Sequence, residues 1–172
     1  MARNTLLRML ASLLIVLAFS GCGGKDETEA VRKLIDKGAK LAEEHQVGDL
    51  MELTVQDFTA QPGHHNAADV RAILFGAFHH YGNFSIRYPR PTVTLASDTA
   101  NGSAVLYFMI VSRDRSIPGL KELYDDPQRW LELASEKADL YQLKLDLIKD
   151  ESRWQVRQAT LEGFKGWGFN RE

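Results

Sequence analysis

The spacing of apolar residues takes three different characters along the chain. Over 10–19 it is almost unbroken, preceded by Arg3 and Arg8 and followed by no acidic residue until Asp26. From Val31 it becomes helical, because Val31, Leu34, Ile35, Gly38, Leu41 and Ala42 recur at three- and four-residue steps and predict a helix over 28–46. Asp26, with Glu29 three residues on, resembles a capping box. Gly48 breaks the pattern, Asp49 can cap a short second helix through 53, and 57–61 reads as a brief strand ended by Pro62 and Gly63. A third helix opens at Asn66 with Asp69 in its first turn. It carries Val70, Ile73, Leu74, Ala77, Phe78 and Tyr81 on one face and closes at Gly82, a natural C-cap.

Beyond Gly82 the period falls to two. Strands are predicted over 84–88, 92–96, 104–111, 140–149 and 154–161, with turns at 98–102 and 150–152. In the fourth of these, Tyr141, Leu143, Leu145 and Leu147 alternate with Gln142, Lys144 and Asp146, so one face meets water. The third, AVLYFMIV, is apolar on both faces and is expected to be central. Near 118–138 an insertion carries Leu120, Leu123, Tyr124, Trp130, Leu131 and Leu133 in a helical pattern.

The first apolar run is too short to span a bilayer, which takes roughly 20 residues. Its length, its basic start and the small residues Ser20 and Gly21 fit a signal peptide over 1–21. Cleavage there leaves Cys22, the only cysteine of the 172 residues, as the first residue. Phe19, Ser20, Gly21 and Cys22 resemble the lipobox of bacterial lipoproteins, with Phe19 in the place of the usual Leu. That resemblance implies acylation of the Cys22 sulfur, and two or three acyl chains anchor stably where one does not. Gly23, where inner-membrane lipoproteins of enteric type often carry Asp, implies the outer membrane, facing the periplasm. An acylated Cys22 leaves no thiol for a disulfide. Residues 22–27 read as a tether and 28–162 as one domain.

Charge excludes one class of partner. The formal net charge is −2, and removing Arg3 and Arg8 with the signal brings it to −4. With no basic cluster, nucleic acid is not an expected partner.

Helices with a short strand before the third, followed by a run of strands, occur in the nuclear transport factor 2-like superfamily, which includes ketosteroid isomerase and SnoaL-like cyclases. The segments HQVGDLMELTVQDFTAQPG, NAADVRAILFGAFHHYG and YQLKLDLIKDESRWQVRQATLEG carry the similarity. The resemblance implies an α+β fold in which N-terminal helices pack on a curved antiparallel sheet to form a cone with an open pocket. It implies no single function, because that fold hosts isomerases, dehydratases, transport adaptors and assembly modules.

The chemistry-bearing residues narrow the choice. Where the isomerases commonly hold an Asp before the proline that ends the first strand, TAQPG has Gln61, and an amide cannot serve as a general base. The pairs His64-His65 and His79-His80, with His45 and Asp69, invite a metal reading, but adjacent helical residues point about 100° apart and no HxxxH spacing occurs. No GxSxG is present, and no cofactor or metal is expected. The tail 163–172 places Phe164, Trp167 and Phe169 among glycines, able to dock on a partner, a pocket mouth or lipid headgroups. Phe58, Phe75, Tyr81, Tyr107, Met109, Tyr141 and Trp154 are the candidates for a pocket wall.

The expected protein is a non-catalytic, lipid-anchored envelope domain that binds an apolar small molecule or an envelope protein. The alternatives are an isomerase, dehydratase or hydrolase on the same pocket, or a homodimeric assembly module.

Overall fold

A computed structural model of the chain describes residues 23–97, 100–112, 125, 126, 129 and 138–163. The expectations for the signal peptide, for Cys22, for most of the insertion near 118–138 and for 164–172 lie outside the described residues.

Helix α1 runs Gly23–Glu43. It starts five residues before the predicted 28 and takes in 23–27 of the stretch read as a tether. It ends earlier than predicted, because His45 turns the chain with φ 58°. The His45 N–H donates to Ala42 O at 3.0 Å and the Gln46 N–H to Leu41 O at 2.9 Å, the paired bonds of a Schellman ending. The reversal lets α2, Val47–Met51, bury both of its terminal side chains in the core. Burial, rather than the glycine at 48, decides where α1 stops.

Strand β1, Thr54–Gln61, and the two-residue β2, His65–Asn66, lead into α3, Ala67–Tyr81. Here the local chemistry acts as expected. The Asn66 side chain accepts from the Ala68 and Asp69 N–H groups while Asp69 accepts from the Asn66 N–H, and the Gly82 N–H closes the far end on Phe78 O. Five strands follow: β3 Phe84–Arg87, β4 Thr92–Leu95, β5 Asn101–Ser112, β6 Ala138–Asp150 and β7 Arg153–Gly163.

The sheet runs β2-β1-β7-β6-β5-β3, with β4 also on β5. β3 takes Met109–Ser112 and β4 takes Gly102–Val105, so the two lie end to end along one edge of β5. The sheet is mixed rather than antiparallel, because β1 joins β7 in parallel. The intervening chain returns β1 to the far edge, which a hairpin could not do. Register shifts at Asp146/Leu147 and at Thr54/Thr59 mark bulges, which bend strands and help the sheet curve.

One face of the sheet receives the helices. Ala104, Leu106, Phe108 and Ile110 of β5, Leu143, Leu145 and Leu147 of β6, and Trp154 and Val156 of β7 meet Val31, Ile35, Val47, Met51 and Phe78. Phe84, Leu147 and Val31 are the largest fully buried side chains, and each contributes about 1.5–3 kcal/mol by leaving water. Met109, Val111 and Leu140 are buried as well, but alternation along β5 and β6 turns them to the opposite face.

Three carboxylates of α1 tie the helix to this sheet. Glu27 meets the Lys149 ammonium at 2.7 Å and accepts from Trp154 Nε1–H at 2.8 Å. Asp36 accepts from the Tyr88 hydroxyl at 2.6 Å, and Glu43 accepts from the Ile86 N–H at 2.6 Å. The last bond occupies a donor on edge strand β3 that could otherwise template pairing with another chain.

Helix α3 keeps its predicted apolar face except at Ile73. Val70, Leu74, Ala77 and Tyr81 pack against the core and Phe78 is buried, but Ile73 is 51% and Phe75 65% exposed. The helical period thus selects the buried side, and Phe75, outside the predicted face, stays in solvent.

Candidate functional site

The helix-facing side of the sheet ends in a polar cluster beside the last turn of α3. Asp139 and Tyr141 stand two residues apart on β6 and therefore share a face. The Tyr81 hydroxyl donates to Asp139 Oδ2 at 2.8 Å and lies 2.8 Å from the Tyr141 hydroxyl. A phenol carries one proton, so with Tyr81 donating to the carboxylate, Tyr141 donates to Tyr81. The proton chain runs Tyr141 to Tyr81 to Asp139. Burial, with the Tyr141 and Asp139 hydrogen bonds behind it, pushes the Tyr81 phenol well above its ordinary pKa, so it stays a donor at physiological pH.

Aromatic rings surround this chain. Phe108 stacks on Tyr141 with centroids 5.4 Å apart, and Tyr81 meets Phe84 edge-on at 6.0 Å. Phe84 in turn stacks with His45 at 5.3 Å, and His45 with Phe78 at 5.2 Å. An aromatic path thus leads from the phenols to the turn between α1 and α2. Chemically, the cluster offers an exposed carboxylate as acceptor and phenols as donors, next to flat apolar faces.

The seven pocket-wall candidates separate. Tyr81 and Tyr141 come together in the cluster. Phe58 and Trp154 belong to the packed core, Trp154 at the β6–β7 hairpin end beside Glu27. Phe75 stands on the outer side of α3. Tyr107 and Met109 lie on the sheet face away from the helices, where the Gln142 side chain donates to the Tyr107 hydroxyl at 2.5 Å. Met109 therefore does not face a cone interior.

Asp139 and Phe108 were missed in sequence. Asp139 falls one residue before the predicted start of its strand, and Phe108 sits in a run apolar on both faces, where period two gives no parity. Placing the strand start two residues earlier would have set Asp139 in phase with Tyr141.

Of the remaining candidates, His80 meets the Tyr81 ring edge-on with centroids 5.2 Å apart. The Gln61 side chain lies 2.7 Å from His64 Nδ1 at the turn into β2, next to the cis Gln61–Pro62 peptide. His79 and His80 are exposed at the end of α3. Among the described residues no three His, Cys, Asp or Glu side chains gather as a metal site. Between the α1–α2 turn and α3, His45, Val47, Phe75, Phe78, His79 and Gly82 line a surface groove of about 320 Å³.

Solved structures share the fold at low sequence identity. A nuclear transport factor 2-like protein of unknown function from Pseudomonas putida is 13% identical, with a TM-score of 0.61 over 83% of this chain and 89% of its own. A nuclear transport factor 2-like protein with a cystatin-like fold from Novosphingobium aromaticivorans is 17% identical, with a TM-score of 0.58 over 91% of this chain and 89% of its own. A protein from the same organism assigned as a scytalone dehydratase is 12% identical, with a TM-score of 0.59 over 80% and 84%. No family model and no curated protein matches the chain. These likenesses establish an α+β, nuclear transport factor 2-like fold.

Proposed function

We propose that this domain binds a small, largely apolar molecule at the end of α3 and does so without transforming it. The Tyr141–Tyr81–Asp139 chain carries the reading, because it presents a carboxylate acceptor and polarised phenols beside the rings of Phe108 and Phe84. Most small-molecule sites combine apolar walls with a few convergent polar groups. A flat ligand bearing one hydroxyl or carbonyl matches that combination.

We further propose that the chain is held at the outer membrane by acyl groups on Cys22. Glu27 sits at the β6–β7 hairpin and Glu43 at β3, sixteen residues further along α1, or about 24 Å at 1.5 Å per residue. An anchor just before α1 would therefore hold the phenol cluster away from the bilayer, open to the periplasm.

Catalysis is the second reading, and one observation favours it. A carboxylate next to a phenol held protonated is an acid–base pair, and one protein of the same fold is assigned as a dehydratase. Native mass spectrometry of the protein purified from its host tests both. A bound small molecule lost in Tyr81→Phe and released unchanged in mass supports binding. Release as a species 18 Da lighter than the one supplied, abolished in Asp139→Asn, would replace binding with dehydration.

A further inference from the structure

We propose that the groove between the α1–α2 turn and α3 is a second ligand site, separate from the phenol cluster, for a small organic anion with a flat apolar body. Its walls are apolar. Val47 and the buried Phe78 form the floor, Phe75 stands 65% exposed at one side, and Gly82 brings no side chain. Phe75, Phe78, His79 and Gly82 follow one another at helical spacing, so α3 presents them as a single strip. The volume of about 320 Å³ lies at the small end of ligand pockets, which start at roughly 300 Å³.

Its polar groups are two imidazoles. The exposed His45 ring stacks on both Phe78 and Phe84, which lie 5.6 Å from each other, so the three rings form a triangular cluster at the end of the groove. No hydrogen bond or ion pair within the described residues engages the side chain of His45 or His79, and no carboxylate lines the groove. Two unengaged N–H donors on an apolar floor, with no negative charge beside them, complement an anionic head on a ring-shaped body. His45 also occupies a left-handed backbone position usually given to glycine, and the groove supplies a use for the side chain kept there.

Isothermal titration calorimetry on the full chain, with 2-naphthoate and its neutral amide 2-naphthamide as probes, tests the site. Phe75 and His79 are exposed, so Phe75→Ser and His79→Ala should keep the wild-type far-ultraviolet circular dichroism. One equivalent of 2-naphthoate should bind, more tightly than the amide. Phe75→Ser should weaken both probes about tenfold, the loss of one buried aromatic contact. His79→Ala should weaken 2-naphthoate about tenfold and the amide less than about twofold. Tyr81→Phe should change neither. Absence of saturable binding, indifference to Phe75→Ser, or equal losses of both probes in His79→Ala would overturn the proposal. Loss of binding in Tyr81→Phe instead would move the probes to the phenol cluster and overturn it as well.

Discussion

The Tyr81 hydroxyl reaches Asp139 Oδ2 at 2.8 Å, joining residues 58 positions apart and tying the last turn of α3 to the first turn-free residues of β6. Through this bond the end of a helix otherwise held by apolar packing is placed against the sheet. Tyr81→Phe removes the central member of the proton chain. It should cost about 1 kcal/mol in urea unfolding, the net worth of a partly exposed hydrogen bond. Because the raised Tyr81 phenol contributes stability that is lost only as pH rises through its folded pKa, wild type and variant should converge at strongly alkaline pH. A constant difference up to the alkaline limit would remove Tyr81 as the titrating group.

Glu27 is held below its ordinary carboxylate pKa by the hydrogen bonds from Lys149 and Trp154. A depressed folded pKa adds stability that is complete above the unfolded pKa and is lost as pH falls through the folded one. Glu27→Gln should therefore lower Tm at pH 6, and the gap to wild type should narrow as pH falls below 4.5. Thermal melts followed by circular dichroism at several pH values measure the trend. A gap that widens in acid has the wrong sign for this ion pair.

His45 sets backbone strain against ring packing. A left-handed conformation costs a non-glycine residue about 1–2 kcal/mol, and each aromatic stack contributes about 0.5–1.5 kcal/mol. His45→Ala keeps the strain and loses the stacks on Phe78 and Phe84, so it should destabilise by about 1–3 kcal/mol. His45→Gly relieves the strain and should be more stable than the alanine variant by about 1 kcal/mol. Chemical denaturation of the two variants checks the order. Alanine equal to glycine would mean that the position carries no strain.

Cys22→Ala should abolish metabolic labelling with palmitate and release the protein from the membrane fraction, or leave its leader uncleaved. Labelling that persists in this variant would sink the proposed anchor.

The sequence was legible wherever a local rule operates alone. Asn66 and Asp69 box the start of α3 and Gly82 caps its end because those bonds need only neighbouring backbone groups. Lys144 and Asp146 are exposed and Leu145 and Leu147 buried because a strand with one wet face states its parity in every second residue. Strand β5 withholds that information, since it is apolar on both sides. Tyr107 and Met109 could therefore be read as inward-facing, whereas Phe108 holds the parity that meets the helices and Tyr141.

Sequence by itself determined the kinds of elements and their order, and with them the α+β class. Periodicity and caps are read over a few residues and need no partner. Tertiary structure alone decided that β1 returns to lie parallel to β7, that α1 ends at His45 so that Val47 can be buried, and that Glu27, Asp36 and Glu43 are clamps rather than surface charge. It also decided the site. Tyr81, Asp139 and Tyr141 meet through contacts of 58 and 60 residues' separation, and a hydrogen bond at that range is written only in the packing that brings its partners together.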